Sequence, residues 1–201
     1  AMADALEFYF DFSSPYGYLA ATEIDALAAQ HHRSVMWRPI LLGVVLRETG
    51  GRPLVDVPMK GDYMRRDVPR AARRLKVAFT WPKVFPFPAL AASRAFYWLL
   101  GRDETLAKLF ATAVFKAYFG DGRDMTTPEA VADVASHLGV GRDDLRAAIQ
   151  LPSVKERLRT ETEAAMKKGV FGSPFFIVDN EPFWGHDRIP ELGEWLKSGG
   201  W

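Results

Sequence analysis

Ser13-Ser14-Pro15 stands where an alternating aromatic run, Leu6-Glu7-Phe8-Tyr9-Phe10-Asp11-Phe12, gives way to a helical stripe beginning Tyr16-Gly17-Tyr18-Leu19-Ala20. Hydroxyls at such a junction lie beside helical N–H groups that have no intrahelical partner, and beside the positive end of the helix dipole. That is a place that favours an anion. Pro15 suits the first helical position and Ser14 the N-cap, so Ser14 reads equally as a plain cap and as the host of a charge. As an attacking hydroxyl it lacks a base. His31 and His32 are a whole helix away, His137 closes a distant helix, and only His186 stands among other polar candidates. A Ser-His-Asp hydrolase therefore ranks low.

Composition narrows the chemistry further. The 201 residues include no cysteine, which removes structural disulfides, thiolate metal sites and a thiol redox cycle carried by the protein itself. Any sulfur chemistry must use a sulfur that arrives with a ligand. Lys and Arg number 26 against 25 Asp and Glu, so the overall charge gives no argument for nucleic acid or a membrane surface. The basic run Arg65-Arg66, Arg70, Arg73-Arg74 reads as a solvated helix face. No apolar run reaches the ~20 residues of a membrane helix, and the first residues lack the order of a secretory signal. A cytoplasmic protein is expected.

The elements that must position Ser14 follow from periodicity. Residues 6–12 alternate with period two and predict a first strand; residues 15–30 predict a helix, and 35–40 a second strand. A strand, a helix and a strand in this space suggest a right-handed βαβ unit. Strand character then vanishes for over a hundred residues. Residues 43–49 predict at most a short helical turn, and 60–76 a basic helix that Pro69 should bend or start. Trp81-Pro82-Lys83-Val84-Phe85-Pro86-Phe87-Pro88 predicts an extended aromatic loop. Helices are expected over 89–100, 104–119, 127–137, 142–150 and 153–168. Residues 174–178 and 181–184 predict a hairpin turning at Asp179-Asn180, with Pro182 marking an edge strand. A last helix is expected over 189–197.

This order, together with four local motifs, resembles the 2-hydroxychromene-2-carboxylate isomerases, relatives of the kappa-class glutathione transferases and of the DsbA-type disulfide oxidoreductases. The motifs are Phe10-Asp11-Phe12-Ser13-Ser14-Pro15-Tyr16-Gly17-Tyr18-Leu19-Ala20, Pro39-Ile40-Leu41-Leu42-Gly43, Val170-Phe171-Gly172-Ser173-Pro174-Phe175-Phe176 and Trp184-Gly185-His186-Asp187-Arg188-Ile189. In the oxidoreductases of this fold a cysteine takes the place of Ser14. The resemblance implies an α/β, thioredoxin-like fold, β1-α-β2 and β3-β4-α, with a large all-helical insertion. Residues 5–42 and 170–201 would form the thioredoxin-like domain, and 43–169 the inserted helical domain.

The same resemblance implies a glutathione-dependent isomerase of aromatic catabolism and a homodimer. Its reaction would interconvert 2-hydroxychromene-2-carboxylate and trans-o-hydroxybenzylidenepyruvate, or a similar aromatic carboxylate. The thiolate adds, a bond rotates, and elimination returns the thiol. A kappa-type transferase is the alternative among enzymes. A non-catalytic glutathione-binding or chaperone-like module is the alternative outside them. Ser14 would be the catalytic residue, activating a borrowed thiol. Ser14, Ser173, a cis Pro174, Trp184, His186, Asp187 and Arg188 would bind glutathione. A cis proline turns the Ser173 backbone outward to pair with an extended peptide, and Asp187 and Arg188 offer partners for an ammonium and a carboxylate. Read without the resemblance, Pro174 simply opens a strand, Asp187 caps the last helix and Arg188 pairs with it at the surface. For the aromatic substrate, Tyr63, Trp81, Phe85 and Phe87 are candidate walls, with core packing the competing role, and Arg47 or Lys60 the candidate cation.

Overall fold

The computed structural model describes residues 5–201. Its sheet has four strands in the order β2-β1-β3-β4. β1 (Leu6–Phe10) pairs in parallel with β2 (Val35–Pro39) and antiparallel with β3 (Phe175–Val178), and β3 pairs antiparallel with β4 (Glu181–Trp184). The β3–β4 turn is built on Asp179 and Asn180, both left-handed with φ of 53° and 65°, as a type I′ hairpin requires. Pro182 lies in β4, an edge strand, where a missing donor is tolerated.

β1 is central, and the alternation in its sequence understates its burial. Phe8, Phe10 and Phe12 enter one aromatic core with Trp37, Phe96, Phe115 and Phe176. Tyr9, on the other face, is buried with Ile40, Val45, Ala165, Val170 and Phe175. That second face also holds an ionic network, in which Arg38 pairs with Glu161 at 3.2 Å and Lys168 with Glu7 at 3.2 Å.

Two helices, not the single one expected over 15–30, follow β1: α1 (Pro15–Ala21) and α2 (Ile24–Gln30). Neither glycine nor proline marks the break. The Thr22 and Glu23 N–H groups donate three residues back, to Leu19 and Ala20, and the Thr22 hydroxyl also donates to the Leu19 carbonyl at 2.7 Å. Past it, the Trp37 indole donates to Asp25 at 2.9 Å and draws α2 onto β2.

Between β2 and β3 the described chain carries helices only. α3 (Leu42–Thr49) is two turns long, more than the short turn predicted, and ends at left-handed Gly50. A short 3₁₀ turn, Leu54–Asp56, leads to α4 (Lys60–Leu75). Pro69 neither starts nor ends α4. Proline cannot donate to the carbonyl four residues back, and that carbonyl, Arg65, instead accepts the Trp81 indole N–H at 3.4 Å. The Arg65 guanidinium also lies over the Trp81 ring, 5.4 Å from its centroid.

α5 (Leu90–Leu100) and α6 (Glu104–Phe115) follow, and α6 widens into a π-helical turn over Lys116–Gly120 where a continuous helix was expected. α7 (Pro128–Ser136), α8 (Arg142–Ala148) and α9 (Pro152–Lys167) complete the helical stretch, and α10 (Ile189–Ser198) closes the fold. One hydrophobic cluster runs from the sheet into α5, α6 and α7, so strands and helices share a core. Among the described residues no helix is long and apolar enough to cross a membrane.

Candidate functional site

Ser14 has extended backbone (φ −93°, ψ 115°) and caps α1, its hydroxyl oxygen accepting the Gly17 N–H at 3.0 Å. The capping role is thus present, and a second role is added to it. The hydroxyl hydrogen of Ser14 is donated to the backbone carbonyl of Ser173 at 3.1 Å. Ser173 precedes a cis peptide bond to Pro174, and its own hydroxyl accepts the Asp11 N–H at 3.0 Å. The Pro174 carbonyl accepts the Gly185 N–H at 3.1 Å, which ties the proline loop to the Trp184–Arg188 segment. Glycine at 17 suits this approach: a Cβ there would lie 3.1 Å from Ser173 Oγ and 3.2 Å from Ser14 Cβ, closer than such atoms normally come.

Asp11 is the residue that sequence reading passed over. It is 6% exposed, and its two carboxylate oxygens accept the Ser13 N–H and the Leu42 N–H, each at 2.8 Å. Its carbonyl accepts the Ser14 N–H at 2.9 Å. The end of β1, the cap of α1, the start of α3 and the proline loop therefore meet on one side chain and its backbone. Burial pushes the carboxyl up to about 6, against the opposing pull of the two N–H groups. The signal available in the sequence was an acid inside an otherwise aromatic strand end, a position where charge must be compensated.

The Trp184–Arg188 segment lies partly at this site. Trp184 is exposed, packs on Phe171 and covers Gly172, where a Cβ would collide with the indole nitrogen. A short 3₁₀ turn over His186–Arg188 packs against α1. His186 Nε2 lies 3.4 Å from Glu23. Asp187 is on the Tyr16 side and adds to the upward push on that phenol, which comes first from burial and next from the bond to Asp67. Arg188 turns away to pair with Glu191 at 2.9 Å, in a cleft lined by Phe183, Trp184, Trp195 and Trp201. Its partner is not Asp187, and the last helix has no side-chain cap.

A polar chain leads from α1 into α4. Tyr16 donates to Asp67 at 2.8 Å, Arg70 pairs with Asp67 at 2.7 Å, and Arg70 also donates to the Tyr63 hydroxyl at 3.3 Å. Burial pushes the Asp67 carboxyl up, but the bonds from Arg70 and Tyr16 outweigh it and hold the group below its usual range. Tyr63 is thereby linked to α1 while its ring stays exposed. Lys60 and Arg47 are exposed, the one at the start of α4 and the other in the last turn of α3.

The aromatic loop over 77–88 borders the cap of α1. Ser13 Oγ accepts the Phe87 N–H at 3.2 Å and so anchors the loop. Tyr18 donates to the Ala78 carbonyl at 2.6 Å and Tyr118 to the Val84 carbonyl at 2.5 Å. Phe85 is half-buried against Trp81 and Phe119, and Phe87 against Tyr118, so both are packing residues with one open side. A second cis bond, Phe85-Pro86, was not anticipated.

A thioredoxin sheet, a helix start facing a cis-proline loop and an inserted helical stretch define the class, and residues 5–197 match the family model described as a DSBA-like thioredoxin domain. The chain belongs to that family. Within it, the chain belongs with the 2-hydroxychromene-2-carboxylate isomerases and their kappa-class relatives. It is 31% identical, over 92% of its length and 86% of the relative's, to a protein named 2-hydroxychromene-2-carboxylate isomerase from Pseudomonas sp. (strain C18). It is 26% identical to glutathione S-transferase kappa 1 of Homo sapiens, covering 95% of this chain and 90% of that one. A solved structure of 2-hydroxychromene-2-carboxylate isomerase superposes with a TM-score of 0.88 at 27% identity, covering 97% and 95% of the two chains.

Proposed function

We propose that this protein is a glutathione-dependent isomerase that interconverts 2-hydroxychromene-2-carboxylate and trans-o-hydroxybenzylidenepyruvate, or an aromatic carboxylate of the same kind. The observation that carries the reading is the meeting of Ser14 Oγ, at the start of α1, with the Ser173 carbonyl beside cis Pro174. The residues present suit a thiol tripeptide. The Ser173 backbone carbonyl, in the bend before β3, suits a peptide N–H, and a hydroxyl at a helix N-terminus suits a thiolate. No cysteine is available to supply that sulfur from the protein.

When bound, glutathione supplies a thiolate that adds to the conjugated double bond, permits rotation and is eliminated again. Ser14 holds the negative charge by hydrogen bonding, and the start of α1 adds the field of its dipole. Asp187, on the Tyr16 side, would take the tripeptide's ammonium. Trp184, Ser173 and His186 complete the proposed glutathione contacts. Arg188 needs a turn away from Glu191 to reach a terminal carboxylate. Phe85 and Tyr63 offer open ring surface to an aromatic substrate, with Lys60 or Arg47 as its carboxylate partner. We further propose a cytoplasmic homodimer, with residues 43–169 as an inserted domain.

The direct test is the ultraviolet spectrum of hydroxychromene carboxylate with protein, with and without glutathione. Acceleration that requires both is the expected result, and none would remove the isomerase reading. Similarity to the kappa transferases favours conjugation of electrophiles as the second reading, and a generic electrophile assay with glutathione tests it. Glutathione binding without either activity would leave a binding module.

A further inference from the structure

Ser14 has one hydroxyl hydrogen, and it is already committed. The oxygen accepts the Gly17 N–H at 3.0 Å and the hydrogen goes to the Ser173 carbonyl at 3.1 Å. The same hydrogen cannot serve a thiolate while it serves that carbonyl. Ser14 as a residue is only 8% exposed, so water is a poor substitute partner for either group. Ser173 is held in turn by its hydroxyl on the Asp11 N–H, and Gly17 packs against it closely. The carbonyl therefore has little freedom to turn away.

Resting on the reading of the site as a glutathione site, we propose that Ser14 is released for thiolate binding only when a peptide N–H of the ligand replaces it on the Ser173 carbonyl. The exchange leaves the cap of α1 in place, because the Gly17 N–H stays on the Ser14 oxygen. Every polar group remains paired in both arrangements, as burial demands. The site then selects thiols by what flanks them. A thiol carried next to a free backbone N–H frees the hydroxyl that receives its sulfur, whereas a simple thiol of equal acidity meets a hydroxyl still bound to Ser173.

The test compares glutathione with its analogue methylated on the cysteinyl nitrogen, which keeps the sulfur and the charges but lacks that N–H. Calorimetry measures binding, and thiolate absorbance at saturation follows titration of the bound thiol, in the wild-type protein and in Ser14→Gly, which removes the hydroxyl yet keeps a tolerated cap residue. For glutathione, Ser14→Gly should reduce the bound thiolate fraction at neutral pH about tenfold, one pKa unit. For the methylated analogue, wild type and variant should give the same fraction. An analogue whose thiolate depends on Ser14 as glutathione's does would overturn the exchange while leaving the site reading intact. Failure of glutathione itself to bind would overturn the site reading. S-methylglutathione gives a second measurement that does not need the analogue. It has the N–H and no thiolate, so it displaces Ser14 without compensation, and Ser14→Gly should bind it several-fold more tightly than wild type. Equal or weaker binding by the variant would overturn the exchange.

Discussion

The Ser173 hydroxyl accepts the backbone N–H of Asp11 at 3.0 Å, joining the end of β1 to the cis-proline loop across 162 positions of chain. Two segments remote in sequence are thereby fixed to one another at the point where Ser14 emerges. The position of Ser14 over the Ser173 carbonyl follows from that join as much as from the cap.

Ser14→Ala should lower glutathione-dependent turnover more than glutathione binding. A hydrogen bond to a charged group contributes about 1.5–3 kcal/mol, which corresponds to roughly ten- to hundredfold in rate. Loss of the cap should cost about 1 kcal/mol of stability. Steady-state kinetics with a denaturation midpoint separates the two effects, and an unchanged rate would leave Ser14 as a cap alone.

Gly17→Ala tests the close approach of α1 to the proline loop. Alanine normally adds up to about 1 kcal/mol in a helix relative to glycine. Here the added Cβ meets Ser173 Oγ at 3.1 Å and Ser14 at 3.2 Å, so that gain should vanish and glutathione affinity should fall about tenfold or more. Gly43→Ala, in α3 with open space where its Cβ would stand, is the control and should stabilise. Equal stabilisation of both variants in a thermal melt would contradict the close approach.

Asp187 and Arg188 should separate in effect despite being neighbours. Asp187 is on the Tyr16 side of the site, and Arg188 is engaged by Glu191. Asp187→Ala should raise the KM for glutathione about tenfold. Arg188→Ala should raise it only a few-fold, since an exposed ion pair contributes ~0–1 kcal/mol. The opposite ranking would place the guanidinium at the ligand.

Asp11 predicts a pH dependence of stability. Its carboxyl is raised from 3.8 to about 6 in the folded protein, chiefly by burial. The folded state therefore holds this proton more tightly than the unfolded chain, and the contribution is full below about pH 4 and lost as pH rises through about 6. The displacement corresponds to about 3 kcal/mol. Chemical denaturation of wild type and Asp11→Asn across this range should show the wild type losing stability relative to the variant from pH 4 to pH 6, with no further divergence up to pH 8. A flat difference would mean that the carboxylate ionises as it does in water.

Much of this site could be read from residues alone, because Ser14-Pro15, Gly172-Ser173-Pro174 and the Asp179-Asn180 turn each carry local stereochemical meaning. Their meeting could not, since the bonds of Ser173 to Ser14 and to Asp11 span most of the chain. The break after α1 was hidden because Thr22-Glu23 continues the helical stripe, while the Thr22 hydroxyl on the Leu19 carbonyl and the pull of Trp37 on Asp25 show how α2 starts anew. The π turn was hidden likewise. Lys116-Ala117-Tyr118-Phe119-Gly120 has helical spacing, and its widening is set by remote partners, with the Thr80 N–H on the Phe119 carbonyl at 2.7 Å and the Tyr118 hydroxyl on Val84.

The bond between the Trp81 indole and the Arg65 carbonyl makes an interruption in one helix the mooring of a distant loop. Pro69 leaves that acceptor vacant within α4, and the loop over 77–88 is held where the vacancy lies. With an ordinary residue at 69 the helix would reclaim its own carbonyl, and Trp81 would lose this tether while the bonds with Ser13, Tyr18 and Tyr118 still hold the rest of the loop. The proline thus acts, through Trp81, on the same loop that Ser13 anchors beside the cap of α1.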